Sequence, residues 1–149
     1  VKWMGPDMSV RSSISARHME TWAHAQAIYD ALGIDRVNED RIKNIVIIGN
    51  NTFKYCFTIN KKNLPAETPY LKLTSPSGEI WEFNDQENDN SIQGLAEEFC
   101  QVVTQVRNID DVNLNVKGEI AKEWMSIAQC FAGAAEQPPK PGLRKKVKK

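Results

Sequence analysis

Two side chains near the start of the chain have the types and spacing of a metal-ligand pair. Glu20 and His24 lie four residues apart in a helical pattern that runs from Ala16 to Gly33. At 100° per residue they are separated by about 40° around the helix, so both point to one side. A carboxylate oxygen and a neutral imidazole nitrogen suit Zn²⁺ or another first-row divalent metal. The spacing therefore allows the two side chains to bind one divalent ion together.

A catalytic zinc usually has three protein ligands and an open position. The second histidine, His18, falls on the far side of the same helix, and the sequence shows no third ligand. A simpler interpretation is a surface pair that stabilises the helix by about 0.2–0.5 kcal/mol. Spacing alone leaves both interpretations open.

The elements that would carry these residues follow from hydrophobic periodicity. Ser9 or Ser12 can cap a first helix that ends at Leu32 before Gly33, and Asn38 can cap a second helix. The first helix also carries an apolar stripe for packing, formed by Ile14, Trp22, Ile28, Tyr29 and Leu32. Further along, we expect a hairpin of strands 70–74 and 79–83, a helix at 94–106, a strand at 113–116 and a helix at 118–131. This order predicts an α+β fold with an antiparallel sheet and packed helices.

Charge is unevenly distributed along the 149 residues. The chain has 19 basic and 19 acidic residues, and six of the basic ones fall within residues 140–149, so the remainder carries 13 basic and 19 acidic residues. An acidic body disfavours a nucleic-acid binder. We predict that residues 136–149, rich in proline and lysine, form a disordered and solubilising tail.

The three cysteines indicate a reducing compartment. Cys56, Cys100 and Cys130 are widely spaced, odd in number and set in apolar sequence, which is typical of buried thiols. No stretch reaches the length of about 18 apolar residues that a membrane span requires, and no secretory signal pattern is visible. We expect a cytoplasmic protein without a membrane partner.

Several segments, in order along the chain, resemble one protein superfamily. They read WMGPDMS, ARHMETWAH, LTSPSGEIWEF (73–83), EFCQVVTQVRNIDD (98–111) and VKGEIAKEWMSIAQCFAG (116–133). Together they resemble the DinB-like, mycothiol-dependent maleylpyruvate isomerases, in the metal-binding branch with a wyosine-base-formation-type domain. The resemblance spans about residues 3–133.

The resemblance implies a domain organisation. Residues 1–34 would be a loop and the last helix of a metal-binding four-helix bundle, residues 35–135 a sterol-carrier-like α+β domain, and residues 136–149 the tail. Glu20 and His24 match the metal-binding pair of that last helix. The histidine that the family places on an early helix has no counterpart, so we expect a fragment whose other bundle helices precede Val1. Alone, the first helix would be only partly covered, and we expect dimers or aggregates through it.

The same resemblance suggests an activity. Such proteins are metal-dependent isomerases or transferases that use a low-molecular-weight thiol such as mycothiol, and an arginine of their C-terminal domain holds an anionic small-molecule substrate. Arg107 matches that arginine, although the paired arginines of the family read Val106–Arg107 here. The family's H-G-x-D reads His24-Ala25-Gln26-Ala27, so a residue that could orient a metal ligand is also replaced. The fragment alone is then expected to be inactive.

Two other functions remain as alternatives. The apolar residues Trp81, Phe83, Leu95, Phe99 and Trp124 could line the pocket of a non-catalytic small-ligand carrier, or could simply be core. The wyosine name suggests a tRNA-modification factor, which the acidic body and the absence of cysteine clusters disfavour.

Overall fold

The computed structural model describes residues 8–148, so the predicted N-terminal loop with Trp3 lies outside the described residues. A long helix, α1, runs over Val10–Leu32 and is followed by α2 (Lys43–Asn51), α3 (Phe53–Ile59), β1 (Tyr70–Thr74), β2 (Ile80–Phe83), β3 (Ser91–Leu95), α4 (Ala96–Val103), β4 (Asn115–Lys117) and α5 (Glu119–Ile127). Short 3₁₀ turns occupy Asp40–Ile42 and Ile109–Asp111. The predicted α+β class is confirmed.

The ends of α1 follow from local chemistry. The Ser9 side chain accepts a hydrogen bond from the Ser12 N–H at 3.1 Å, which satisfies one of the free amides of the first turn. At the other end, Gly33 adopts the left-handed conformation with φ 65°, which costs glycine little because it has no Cβ. Both predicted ends of this helix are confirmed.

The sheet is mixed, so the predicted antiparallel sheet is wrong. Its strand order is β2-β1-β3-β4, in which β1 pairs antiparallel with β2 but parallel with β3, and β3 pairs antiparallel with β4. The sequence does not predict β3, because Gln93 and Gly94 interrupt its apolar alternation. The following helix, predicted from Gly94, starts two residues later at Ala96. The hairpin of β1 and β2 is confirmed, with Leu73 opposite Trp81.

The core lies between the inner face of the sheet and the four shorter helices. Leu71, Leu73 and Ile92 from the central strands are fully buried. Beyond them lies an aromatic cluster of Phe53, Phe57, Phe99 and Trp124, whose rings pack edge to face at centroid distances of 4.9–5.8 Å. Such a filled and apolar interior is the main source of stability for a domain of this size.

Two close approaches join the helices to the rest of the core. A Cβ on Gly49 of α2 would lie 2.9 Å from Val103 Cγ2, so only glycine lets α2 and α4 pack at this distance. At the start of α5, the Asn90 carboxamide oxygen accepts hydrogen bonds from the amides of Ile120 and Ala121. The first contact fixes α2 against α4, and the second fixes α5 relative to β3.

Candidate functional site

A cavity of about 850 Å³ lies between α1 and the C-terminal part of the chain. Its wall combines α1, the segment after α4 and the C-terminal residues; it consists of Met19, Glu20, Ala23, His24, Ala27, Asp30, Ala31, Thr104, Gln105, Val106, Phe131, Ala132, Glu136, Gln137, Pro139, Leu143, Arg144, Lys145 and Val147. The volume falls within the range of about 300–1,000 Å³ that small-molecule sites usually have.

Polar contacts as well as apolar ones attach α1 to the body. Met19, Trp22 and Gln26 are buried against the rest of the chain. The Trp22 indole N–H donates to Asn38 Oδ1 at 2.8 Å, and the Asn38 amide donates in turn to a carboxylate oxygen of Glu97 at 2.7 Å. Asn38 is therefore a bridge between α1 and α4 rather than the predicted helix cap, and the following 3₁₀ turn begins at Asp40.

Arg36 completes this attachment on the other side of Trp22. Its guanidinium donates to the Trp22 carbonyl at 2.7 Å and lies over the rings of Trp22 and Tyr29, 4.6 and 5.1 Å from their centroids. A cation over an aromatic face contributes about 0.5–1 kcal/mol at partly exposed sites. The orientation of α1 about its own axis is thereby fixed, and with it the direction of the cavity wall.

Glu20 and His24 both line the cavity, as the predicted metal pair requires. Glu20 is half-buried and His24 is exposed. Within residues 8–148 neither side chain makes a hydrogen bond or an ion pair, so the imidazole nitrogens and carboxylate oxygens have no protein partner there. The pair is thus free to bind a cation.

His18 does not line this cavity. It is half-buried, and burial lowers its pKa, with a further decrease from the positive charges of Arg41 and Arg36. This position explains why the second histidine cannot join Glu20 and His24. In the part of the chain that the structure describes, no three His, Cys, Asp or Glu side chains form a group that could hold a metal ion.

Arg107, the residue matched to a substrate-binding arginine, binds an acid of the protein itself. Its guanidinium donates two hydrogen bonds to the Asp30 carboxylate, at 2.6 and 2.7 Å, and one to the Val106 carbonyl at 2.8 Å. The side chains of Arg107 and Asp30 are only 11% and 14% exposed. Arg107 is therefore engaged beside the cavity, and it joins the end of α1 to the segment after α4.

Several forces act on the pKa of Asp30. Burial raises the pKa of this carboxyl, but hydrogen bonds from Arg107 and Gln26 and the charges of Arg107 and Arg144 outweigh burial and hold the pKa below its usual value. Asp30 is consequently ionised at neutral pH and is occupied by Arg107. It is not a free third ligand for a metal at Glu20 and His24.

Residues 136–148, predicted to be a disordered tail, lie against the body and form one wall of the cavity. The Gln129 side chain accepts from the Glu136 N–H at 2.8 Å, and the Gln105 amide donates to the Glu136 carbonyl at 2.9 Å. Nearer the end, the Val147 N–H donates to the Asp30 carbonyl at 2.8 Å. The cations that line the cavity, Arg144 and Lys145, come from this segment rather than from the predicted Arg107.

The apolar residues considered for a ligand pocket lie elsewhere. Phe99 and Trp124 are buried in the aromatic cluster, and Trp81 is a buried residue of β2. Phe83 is half-buried and Leu95 is exposed. None of these five residues lines the cavity.

The three cysteines are free and buried. Burial raises the pKa of Cys56 and of Cys100, and it raises the pKa of Cys130 to about 12. These thiols are protonated at neutral pH, which makes them poor nucleophiles and poor metal ligands.

Across residues 8–148, no helix combines the length and apolar character that crossing a membrane would require.

The sequence does not predict the part of the site that comes from segments far apart along the chain. Gln105 is one example, since it is a buried polar residue with a positive φ of 58° just after α4. Its side-chain amide donates hydrogen bonds to the carbonyls of Ala128 and Glu136. A glutamine that follows the apolar run of α4 and precedes Val106 is the one signal in the sequence, but its partners lie 23 and 31 residues away.

Comparison with known proteins gives relatives without an assigned activity. The chain is 41% identical over 131 residues to a protein found in two strains of Mycobacterium tuberculosis, described in both as uncharacterized. The match covers 88% of this chain and 51% of each relative, so the chain spans about half the length of the curated relatives it matches. No protein-family model and no solved structure matches the chain.

Proposed function

We propose that this chain is part of a divalent-metal-binding protein in which Glu20 and His24 are two of the metal ligands. The observation that supports the proposal is that both side chains line one cavity and have no other partner within residues 8–148. A neutral imidazole and a carboxylate are ligands that zinc accepts. The donor set fits such an ion in type but not in number, since the described residues offer no third ligand.

The missing ligand would come from a segment outside residues 8–148. The curated relatives are about twice as long as the matched region, so such proteins have room for one. The resemblance to the DinB-like, mycothiol-dependent maleylpyruvate isomerases supports the same arrangement, in which a histidine from an earlier helix completes the site. The exposed apolar side chains Val10, Ile14, Ile28 and Leu32 on α1 are a surface that further helices of such a bundle would cover.

In the complete protein we propose a metal-dependent isomerase or transferase with a thiol cofactor and a small-molecule substrate. A bound divalent ion would act as a Lewis acid and would favour the thiolate form of a thiol at its open position. The residues of this chain would hold the ion from one side through Glu20 and His24, and would shape the cavity beside it. The three free, buried thiols are typical of a reducing compartment, so a cytoplasmic location belongs to the same proposal.

A metal titration of the chain tests this proposal. We expect weak Co²⁺ or Zn²⁺ binding by isothermal titration, and we expect His24→Ala to weaken it by at least the roughly 10- to 100-fold that loss of an outer-shell partner costs. His18→Ala is the matched control, because it removes the same side chain from the same helix but away from the cavity. Equal binding by both variants would contradict the proposal, and so would the absence of binding by the wild-type chain.

The size of the cavity favours a second candidate, a small-ligand-binding protein without catalysis. Its 850 Å³ could hold a small organic molecule without any metal. Such a ligand would contact the alanines of α1 and the C-terminal segment rather than the aromatic cluster. Mass spectrometry of the purified protein under native conditions separates the two candidates, because a retained organic molecule in metal-free protein supports only the second.

A further inference from the structure

The C-terminal segment is attached in two different ways along its length. Its first part, residues 134–139, is held by side-chain amides from the body. Buried Gln129 and Gln105 bind the backbone of Ala134 and Glu136, and Asn108 donates to the Pro139 carbonyl at 2.9 Å. Buried hydrogen-bonded amides are costly to break because each would leave an unpaired polar group.

The second part, residues 140–148, which we call the strap, is held at the surface. The Gly142 N–H donates to both oxygens of the Asp111 carboxylate at 2.9 Å, and the Lys146 ammonium pairs with Asp35. The Arg144 guanidinium reaches the Gln105 carbonyl at 3.4 Å, and the Val147 N–H donates to the Asp30 carbonyl at 2.8 Å. Every acid in these contacts belongs to the body, and the strap itself carries no acid.

The strap has almost no apolar anchor. Its two large apolar side chains, Leu143 and Val147, are 70% and 54% exposed. Exposed ion pairs contribute only about 0–1 kcal/mol each, and added salt screens them. Pro138 and Pro139 end the firmly held part and Pro141 lies at the start of the strap, so the prolines restrict the chain at this junction to few conformations.

The strap supplies Leu143, Arg144, Lys145 and Val147 to the wall of the cavity that Glu20 and His24 also line. We propose that the strap is a detachable wall, held by the carboxylates of Asp35 and Asp111 through an ion pair and backbone hydrogen bonds, and released as a unit when these contacts are screened or removed. Release opens the cavity along the C-terminal end of α1 and leaves the domain folded. This device does not depend on whether a metal binds, so its test is independent of the proposed function.

Amide hydrogen exchange of the full chain, followed by NMR, tests the strap. At about 0.01 M salt, where the Debye length is about 30 Å, we expect the amides of Gly142 and Val147 to be protected. At about 1 M salt, where the Debye length is about 3 Å, both should lose protection together, while the Glu136 amide keeps its protection. In the same samples the methyl signals of Ala27 and Ala31 should move, and that of core Ala121 should not.

A pair of charge variants completes the test. Lys146→Gln should increase exchange at Gly142 and Val147 by about two- to fivefold, as expected for one exposed ion pair. Lys140→Gln removes the same charge from the same segment, but within the described residues Lys140 has no acidic side-chain partner, so exchange should not change. Unprotected strap amides at low salt would overturn the proposal. Protection that is insensitive to salt and to Lys146→Gln, or equal effects of the two variants, would also overturn it.

Discussion

The aromatic cluster and the cavity wall are built from different interactions. Phe53, Phe57, Phe99 and Trp124 are less than 2% exposed, and their rings pack edge to face on one another. The wall between α1 and the C-terminal segment instead depends on Asp30, Arg107 and side-chain amides. Apolar packing gives the first region most of its stability, while directed polar contacts position the second. The two regions should therefore respond separately to mutation.

The largest effect is expected in the aromatic cluster. Phe99→Ala should lower the free energy of unfolding by about 3–5 kcal/mol, because it removes a fully buried ring and leaves a cavity against Trp124. Urea denaturation followed by circular dichroism measures this change. Leu143→Ala, a truncation of a side chain that is 70% exposed, is the control and should be nearly neutral. Similar losses in both variants would refute the difference between the two regions.

A smaller and more local effect is expected from the ion pair at the end of α1. Asp30→Ala leaves the Arg107 guanidinium half-buried without its carboxylate, which should cost about 1.5–3 kcal/mol. Hydrogen exchange should increase in the last turns of α1 and change little in β1 and β3. Asp35→Ala, an exposed acid close in sequence, should change stability by less than about 1 kcal/mol. Equal exchange increases in α1 and in the sheet would show that α1 does not move independently of the core.

The same ion pair gives the wall a defined dependence on pH. The pKa of Asp30 is held below its usual value, so its contribution to stability is present above the unfolded pKa of about 3.9. It is lost as the pH falls through the lower, folded pKa. Urea denaturation at about pH 7 and about pH 3 should show a smaller acid-induced loss in a variant with both Asp30→Asn and Arg107→Gln than in wild type. If the variant and the wild type lost the same free energy of unfolding on acidification, other carboxyl groups would be responsible for the acid sensitivity.

Residues close in sequence allowed the local features to be predicted. The Ser9 cap and Gly33 define α1, and the turn at Ser75–Gly78 defines the first hairpin, because each depends on contacts within a few residues. The parallel pairing of β1 and β3 could not be predicted in this way. It depends on β3, in which a glutamine and a glycine interrupt the apolar pattern. The position of β3 is set by pairing with β1 and by Asn90, just before the strand, which accepts a hydrogen bond from the first turn of α5.

The candidate site likewise has a local part that the sequence predicts and a long-range part that it does not. Glu20 and His24 lie one turn apart, so helical geometry alone puts them on one side. The partner of Arg107 is Asp30, 77 residues away, and the strap reaches Asp35 from Lys146, 111 residues away. Such long-range ion pairs have no signature in composition or periodicity. The proline- and lysine-rich composition therefore predicted disorder for a segment that the structure places against acidic residues of the body.

NMR of the unmodified chain gives the sharpest test of the proposed metal binding by Glu20 and His24. We expect added Zn²⁺ to shift the imidazole nitrogen signals of His24 and the carboxylate carbon of Glu20, while the imidazole signals of His18 stay in place. Equal shifts of the two histidines, or no shift at His24 and Glu20, would contradict the claim.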